Sequence, residues 1–158
     1  MSFDAPLEVY SQTLSEPAFT LVRPERLEAP ILFASSHSGT LYPSDLTDRL
    51  RLPLMNLRRT EDAFVHELFG RAPDHGAPLM HATYARSYVD LNRDARELDP
   101  DMFSDGVPRT AGLPGTRVKA GLGCLPKIAS TGDVFYASKL TREEGEARLS
   151  HIHDAYHG

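Results

Sequence analysis

The sequence predicts an α/β fold with a mostly parallel or mixed sheet flanked by helices. Short apolar runs typical of strands occur at residues 19–22, 31–34 and 78–84. They alternate with segments whose apolar side chains have helical spacing, a pattern typical of sheets with helical connections. The 158 residues suffice for one domain with its own core. We therefore expect a single domain over residues 1–158.

The first half of the chain predicts three strands and two helices. Residues 19–22 are expected to form an edge strand before Pro24, and residues 31–34 a buried strand. A short helix is expected near residues 44–50. A longer helix should begin at Glu61, with Thr60 as its N-cap. Residues 78–84 then return as a strand that stays extended to Asp90. The longer helix should present an apolar stripe of Phe64, Val65, Leu68 and Phe69.

The second half predicts a long loop followed by a helix. Residues 93–117 are rich in Pro, Gly and Asp and predict either a lid or a disordered segment. A short strand or hairpin is expected in residues 118–129, and an extended segment at 132–136. Thr141 and Glu144 have the spacing of a capping box, so a helix should begin there and run to Tyr156. Its inward-facing stripe should be Leu149, Ile152 and Tyr156.

Composition excludes several classes of function. The chain is 41% hydrophobic and 25% charged, which is typical of a soluble globular protein. Its net charge is −5 and Lys and Arg form no run, which argues against nucleic acid or an anionic membrane as the main partner. No signal peptide and no stretch able to span a bilayer is recognisable, so we expect a cytoplasmic protein. Oligomeric state leaves no signal.

The single cysteine and the serines do not indicate nucleophilic catalysis. Cys124 has no partner for an intrachain disulfide and lacks a neighbouring base, so a buried or incidental thiol is expected. The stretch Ser36-His37-Ser38-Gly39 lacks the Gly-x-Ser-x-Gly pattern of a nucleophile elbow. A serine or cysteine hydrolase is therefore disfavoured.

Residues 86–93, Arg-Ser-Tyr-Val-Asp-Leu-Asn-Arg, concentrate charged and amide side chains. In an extended segment Arg86, Tyr88 and Asp90 would share one face, with Asn92 continuing on it. Arg93 would join them where the chain turns. Arg and Asn together suit a small carboxylate, because the guanidinium gives two parallel charge-assisted hydrogen bonds. An Asp90–Arg salt-bridge network that joins a strand end to a loop is the alternative.

A polar turn follows the strand at 31–34, where open α/β sheets place their sites. His37 in this turn can offer a neutral imidazole nitrogen to a metal, and Gly39 allows close approach of another backbone. A hydrogen-bonded turn histidine is the alternative for His37. Glu61 or Asp62 is a candidate for a second metal ligand, although acids at a helix start also occur as ordinary capping groups.

Together these segments resemble the N-formylglutamate amidohydrolase family over roughly residues 30–157. That family is similar to the zinc carboxypeptidases and aspartoacylases, which carry an Asp-x-Asn-Arg segment after an Arg. The resemblance therefore implies a zinc-carboxypeptidase or phosphorylase/hydrolase-like fold. The matching pieces are His37-Ser-Gly39 with Tyr42-Pro43, Thr60-Glu-Asp62 before Phe64-Val-His-Glu-Leu68, Arg86 to Arg93, and His153-Asp-Ala-Tyr-His157.

The resemblance implies a Zn²⁺-dependent hydrolase that cleaves the amide of an N-acyl amino acid, releasing formate and glutamate from N-formyl-L-glutamate. A small-molecule substrate is the implied partner. The implied metal ligands are His37 and an acid at 61–62, with Asp62 preferred over Glu61. Arg86 would stabilise the oxyanion. The implied substrate-binding residues are Asn92 and Arg93, with His153 as a further candidate.

The sequence also departs from the family pattern. A catalytic zinc usually has three protein ligands and a water. Relatives draw the third from a later Asp-x-His-Ser-like segment, which is missing here, as is a counterpart of the catalytic Glu. His153 and His157 have a spacing compatible with metal binding, but His157 is expected to be an ordinary helix residue, and His153 is a candidate for a substrate or proton-shuttling contact. We expect an incomplete amidohydrolase domain. The alternatives are a non-catalytic remnant that binds carboxylates or partners, and a deacylase of another N-acyl amino acid or a carboxypeptidase.

Overall fold

The computed structural model describes residues 14–158 and contains a small mixed sheet. Its strands are β1 (Phe19–Val22), β2 (Phe33–Ser35) and β3 (Leu79–Ala82). They lie in the order β1-β3-β2, with β1 antiparallel and β2 parallel to β3. The predicted α/β class is confirmed, and the predicted edge strand at 19–22 has the expected bounds.

The helices before residue 142 are short, whereas the C-terminal helix (residues 142–157) is long. Thr141 caps this helix as predicted: its hydroxyl accepts from the Glu144 amide at 3.2 Å, and the Glu144 carboxylate accepts from the Thr141 amide at 2.7 Å. Within the described residues no helix has the length and apolar character needed to cross a membrane. The short helices are α1 (Ser44–Thr47), α2 (Leu54–Arg58), α3 (Val65–Leu68), α4 (Thr116–Lys119) and the 3₁₀ turns Ala72–His75 and Pro100–Met102.

The predicted helix from Glu61 is wrong. Thr60 closes the preceding helix instead of capping a new one, because its hydroxyl donates to the Leu57 carbonyl at 2.6 Å. The helical turn α3 begins only at Val65, after Phe64 in the left-handed region (φ 64°). Phe64 and Leu68 are 64% and 78% exposed, so they form no inward-facing stripe. The helical spacing of the apolar residues does not decide the structure here, because tertiary contacts hold the acids at 61–62 outside a helix.

The extended segment predicted to reach Asp90 is also wrong. The chain turns after Tyr84, and the Tyr88 and Val89 amides both donate to the Ala85 carbonyl, at 2.9 and 3.3 Å. This turn brings Arg86 and Asp90 together but sends Tyr88 in another direction, into the core. The side chains of residues 86 and 90 are therefore adjacent through the spacing of a helical turn, not through strand alternation.

A buried arginine anchors the C-terminal helix to α1. The side chain of Arg148 is 1% exposed and donates to Asp45 at 2.8 Å and to the Tyr136 hydroxyl at 2.7 Å. Its guanidinium carbon lies 4.0 Å from the centroid of the Tyr88 ring. The stripe predicted for this helix faces inward, since Leu149 and Ile152 are 5% and 0% exposed.

The segment predicted to be a lid or disordered is packed against the domain. Leu98, Met102 and Phe103 are buried, and the Glu97 carbonyl accepts from the Cys124 amide at 2.8 Å. The strand or hairpin expected in residues 118–129 is not formed, because α4 occupies 116–119 and none of residues 120–129 lies in a strand. A single antiparallel bridge joins Ile128 to Val134.

The Cys124 thiol is expected to be inert in the folded protein. It is fully buried, and burial raises its pKa far above the ordinary thiol range, so the thiolate that reacts is scarcely formed. Mixing native protein with 5,5′-dithiobis(2-nitrobenzoate) should release no thionitrobenzoate until urea unfolds the chain. Rapid stoichiometric release from native protein would contradict the buried placement.

Candidate functional site

The turn after β2 places His37 in a buried position against the extension of β3. Gly39 makes this possible, since a Cβ there would lie 2.1 Å from the Tyr84 carbonyl oxygen. A parallel bridge between Leu41 and Tyr84 continues the contact. The His37 residue is 9% exposed and lies beside the turn at 85–90. The close backbone approach expected at Gly39 is therefore present.

The His37 imidazole lies between two carboxylates. Its Nε2 is 2.8 Å from Oδ1 of Asp90, and its Nδ1 is 3.4 Å from Oδ2 of Asp62. Because an ionised carboxylate only accepts hydrogen bonds, Nε2 carries the proton in the neutral ring. The lone pair of Nδ1 then faces Asp62. The Asp62 amide donates to the His37 carbonyl at 3.0 Å, which fixes the two residues together.

Asp90 is the centre of the cluster, a role that sequence reasoning missed. One carboxylate oxygen accepts from His37 and, at 3.0 Å, from the backbone amide of Asn92, while the other accepts from Arg86 at 2.9 Å. Burial disfavours the charged form, but the hydrogen bonds from His37 and Arg86 more than offset it and lower the pKa of Asp90 to about 2. The predicted Asp90–Arg pair is thus present, and it also orients His37.

Replacing Asp90 with asparagine is expected to flatten the acid limb of the stability profile. The folded pKa lies below the unfolded one, so the carboxylate stabilises the fold above pH ~4 and loses this contribution as the pH falls through ~2. Between those limits the wild type should lose about 2 kcal/mol more unfolding free energy than the variant. Urea unfolding across this range measures the difference. Asp48→Asn, at an exposed carboxylate, should behave like the wild type, and equal acid losses in all three proteins would contradict the pairing.

The two adjacent acids have different environments. The Glu61 side chain is 3% exposed and accepts from the Tyr42 hydroxyl at 2.6 Å and from Arg58 at 3.3 Å. Burial and this carboxylate together raise the pKa of Tyr42. The Asp62 side chain is 52% exposed and faces both His37 and Arg86, whose Nη1 is 3.9 Å from Oδ1. Of the two acids, Asp62 is therefore the one placed beside His37.

Two of the residues expected to bind substrate, Asn92 and Arg93, lie in the turn that follows Asp90. Asn92 is exposed, and the Arg93 amide donates to the Asp90 carbonyl at 3.1 Å. His153 does not extend toward His37: its Nε2 is 2.9 Å from the Arg93 carbonyl oxygen. The structure thus brings Asn92 and Arg93 next to Asp90 and places His153 against the backbone of Arg93.

Two donors of this cluster fit a metal ion. Nδ1 of His37 and Oδ2 of Asp62 are 3.4 Å apart, and ligands of a tetrahedral zinc with bonds of about 2.0–2.2 Å are about 3.3–3.6 Å apart. The bond from Nε2 to Asp90 is the carboxylate support that ligating imidazoles commonly have. Over residues 14–158, however, no set of three or more His, Cys, Asp or Glu side chains is arranged to hold a metal.

Comparisons with known proteins agree with the resemblance seen in the sequence. The family model described as N-formylglutamate amidohydrolase matches residues 29–158. The crystal structure of N-formylglutamate amidohydrolase from Ralstonia eutropha JMP134 superposes with a TM-score of 0.81 and 32% sequence identity, covering 90% of this chain and 50% of that chain. This chain thus spans half the length of that relative. A search of curated proteins found no match. The matched residues include the whole cluster around Asp90, and the chain belongs to the N-formylglutamate amidohydrolase family.

Proposed function

We propose that this chain supplies metal- and substrate-binding residues of a hydrolase that cleaves the amide of an N-acyl amino acid, with N-formyl-L-glutamate as the substrate and formate and glutamate as the products. The observation that carries the proposal is the position of His37 between Asp90 and Asp62, with Arg86 next to both carboxylates. Family membership supports the reaction class.

His37 and Asp62 would hold the Zn²⁺, because their donor atoms face each other, whereas Glu61 is bound to Tyr42 and Arg58. When bound, zinc supplies an acidified water and polarises the scissile carbonyl. A third protein donor is not found among residues 14–158. Asp90 keeps the imidazole in the orientation that leaves Nδ1 free.

Arg86 and the residues after Asp90 would bind the substrate. The Arg86 side chain is 26% exposed and extends from Asp90 toward Asp62, so its guanidinium can donate to an oxyanion formed beside these groups. Asn92 and Arg93 would bind the substrate carboxylates, for which an amide and a guanidinium are suitable donors.

Metal content tests the proposed ligands. We expect protein dialysed against zinc and then buffer to retain stoichiometric zinc, measured by mass spectrometry. His37→Ala and Asp62→Asn should each abolish retention, because each removes one of the two donors. Glu61→Gln is the matched control and should retain zinc, since Glu61 faces Tyr42. Loss of zinc in the Glu61 variant, with retention in the Asp62 variant, would overturn the assignment.

Arg86→Gln is expected to lower kcat by about a hundred- to a thousandfold with zinc content unchanged, the usual cost of losing an oxyanion donor. Hydrolysis rates should be measured side by side for N-formyl-L-glutamate, N-acetyl-L-aspartate and a short peptide. Fastest hydrolysis of the formyl substrate would favour the proposed reaction over that of another deacylase or a carboxypeptidase. Equal kcat in wild type and variant would contradict the role of Arg86.

The lack of a third donor within the described residues favours a second candidate function, a non-catalytic module that binds carboxylates through Asn92 and Arg93. Under this alternative the folded chain retains no zinc but binds glutamate, which isothermal titration calorimetry measures directly.

A further inference from the structure

Two histidines of the C-terminal helix bind the backbone of the turn that carries Asn92. Nε2 of His157 is 2.8 Å from the Leu91 carbonyl oxygen, and Nε2 of His153 is 2.9 Å from the Arg93 carbonyl oxygen. Carbonyl oxygens only accept, so both imidazoles donate through Nε2. These bonds hold the carbonyls on either side of Asn92.

Asp90 holds the same segment from its other side. Its carboxylate accepts from the Asn92 amide at 3.0 Å, and its carbonyl accepts from the Arg93 amide at 3.1 Å. Four backbone groups of residues 91–93 are therefore fixed, two by histidines and two by Asp90. The Asn92 side chain remains exposed, so the turn presents it to solvent.

We propose that His153 and His157 are positioning residues that orient Asn92 and Arg93 toward the anionic part of the substrate. The inference rests on the proposed function, because it assigns to the histidines the support of the proposed carboxylate-binding residues. It differs from a direct substrate contact by His153, whose Nε2 is already bonded to Arg93.

The form of the C-terminal helix supports this role. Residues Leu149–Asp154 are π-helical, and such segments within helices often occur at functional sites. Ile152 packs into the core at 0% exposure while its neighbour His153, 8% exposed, reaches the turn. The rings of His153 and His157 lie 4.6 Å apart between centroids, and each Nε2 is bonded to a carbonyl, so both imidazoles act on the same turn.

Amide hydrogen exchange tests the positioning. In His153→Ala and His157→Ala, exchange at the Asn92 and Arg93 amides should accelerate about five- to tenfold, the effect of losing one hydrogen bond. His157 is exposed, so its variant tests the effect without disturbing the core. His151→Ala is the matched control, because Nε2 of His151 is bonded to the Glu16 carbonyl at 3.1 Å, away from the turn. His153→Gln and His157→Gln should keep exchange slow, since the glutamine side-chain amide also donates.

The dissociation constant for glutamate, measured by calorimetry in the full chain, gives the functional outcome. It should rise by a similar factor in the alanine variants, with zinc content unchanged. Unchanged exchange in a variant that combines His153→Ala with His157→Ala, or the same acceleration in His151→Ala, would overturn the proposal. Faster exchange with an unaltered dissociation constant would overturn the link to the substrate. A wild type that binds no glutamate is a failure of the proposed function, and exchange then still decides whether the histidines position the turn.

Discussion

Replacing Arg148 with methionine is expected to lower the free energy of unfolding by about 3 kcal/mol, because it removes the charge-assisted hydrogen bonds that this buried side chain makes to two partners, while Asp45 itself stays partly exposed. The guanidinium is 1% exposed and bonds both Asp45 and the Tyr136 hydroxyl. Methionine fills part of the volume of the arginine side chain but donates no hydrogen bond. Of the donors in this cluster, the Asp45 carboxylate then keeps the Tyr88 hydroxyl. Urea unfolding followed by circular dichroism measures the loss.

Arg117→Met provides the matched control, because Arg117 is exposed on α4. Its effect should stay within about 0.5 kcal/mol, as for most surface substitutions. Adding Asp45→Asn to the Arg148 variant should cost less than Asp45→Asn alone, since the variant no longer contains the charge that Asp45 neutralises. Equal urea midpoints for the Arg148 and Arg117 variants would refute the contribution of the Arg148 hydrogen bonds.

Replacing Gly39 with alanine is expected to cost about 3 kcal/mol, the upper end for inserting one carbon into a packed interior. The added Cβ would lie 2.1 Å from the Tyr84 carbonyl oxygen and 2.6 Å from its carbon, both backbone atoms that have little freedom to move. The turn must then separate from Tyr84 in the extension of β3, which moves His37 away from Asp90. Urea unfolding and zinc retention should therefore both decline.

Gly115→Ala is the same chemical change at an open position, where a Cβ meets no atom within 4 Å. We expect its unfolding free energy to stay within about 1 kcal/mol of the wild type, because only N-cap preference and backbone entropy change. If both glycine variants unfold alike, contact between the turn and β3 is not what requires glycine at 39.

The parts of the fold that were predicted correctly carry local signals. The strand at 19–22 has alternating burial, and the capping box at Thr141 is complete within four residues. Two of the wrong predictions, a helix from Glu61 and an extended segment to Asp90, followed local patterns that tertiary contacts override. Tyr42 holds Glu61 from 19 residues away, and Tyr88 leaves the expected face to reach Asp45.

The candidate site could be predicted in part. Resemblance to a family selected His37, Asp62 and Arg86, which the structure places together, although their catalytic roles stay predictions. Sequence reasoning preferred Asp62 over Glu61 but had no geometric ground for it, since the choice depends on which of the two acids Tyr42 and Arg58 bind. It also gave no sign of the Asp45–Arg148 pair, whose members are 103 residues apart.

The separations of these partners along the chain have a kinetic consequence. His37 and Asp90 are 53 residues apart, Asp45 and Arg148 are 103, and Glu16 and His151 are 135. Doubling the number of residues in a loop raises the entropic free-energy cost of closing it by only about 0.6 kcal/mol. The entropy of closing each loop is nevertheless lost before the stabilising contacts form. Folding is therefore slow in proteins dominated by non-local contacts. Refolding from urea should therefore take milliseconds to seconds, and the zinc retention proposed above should return in the same phase as the contact between Glu16 and His151.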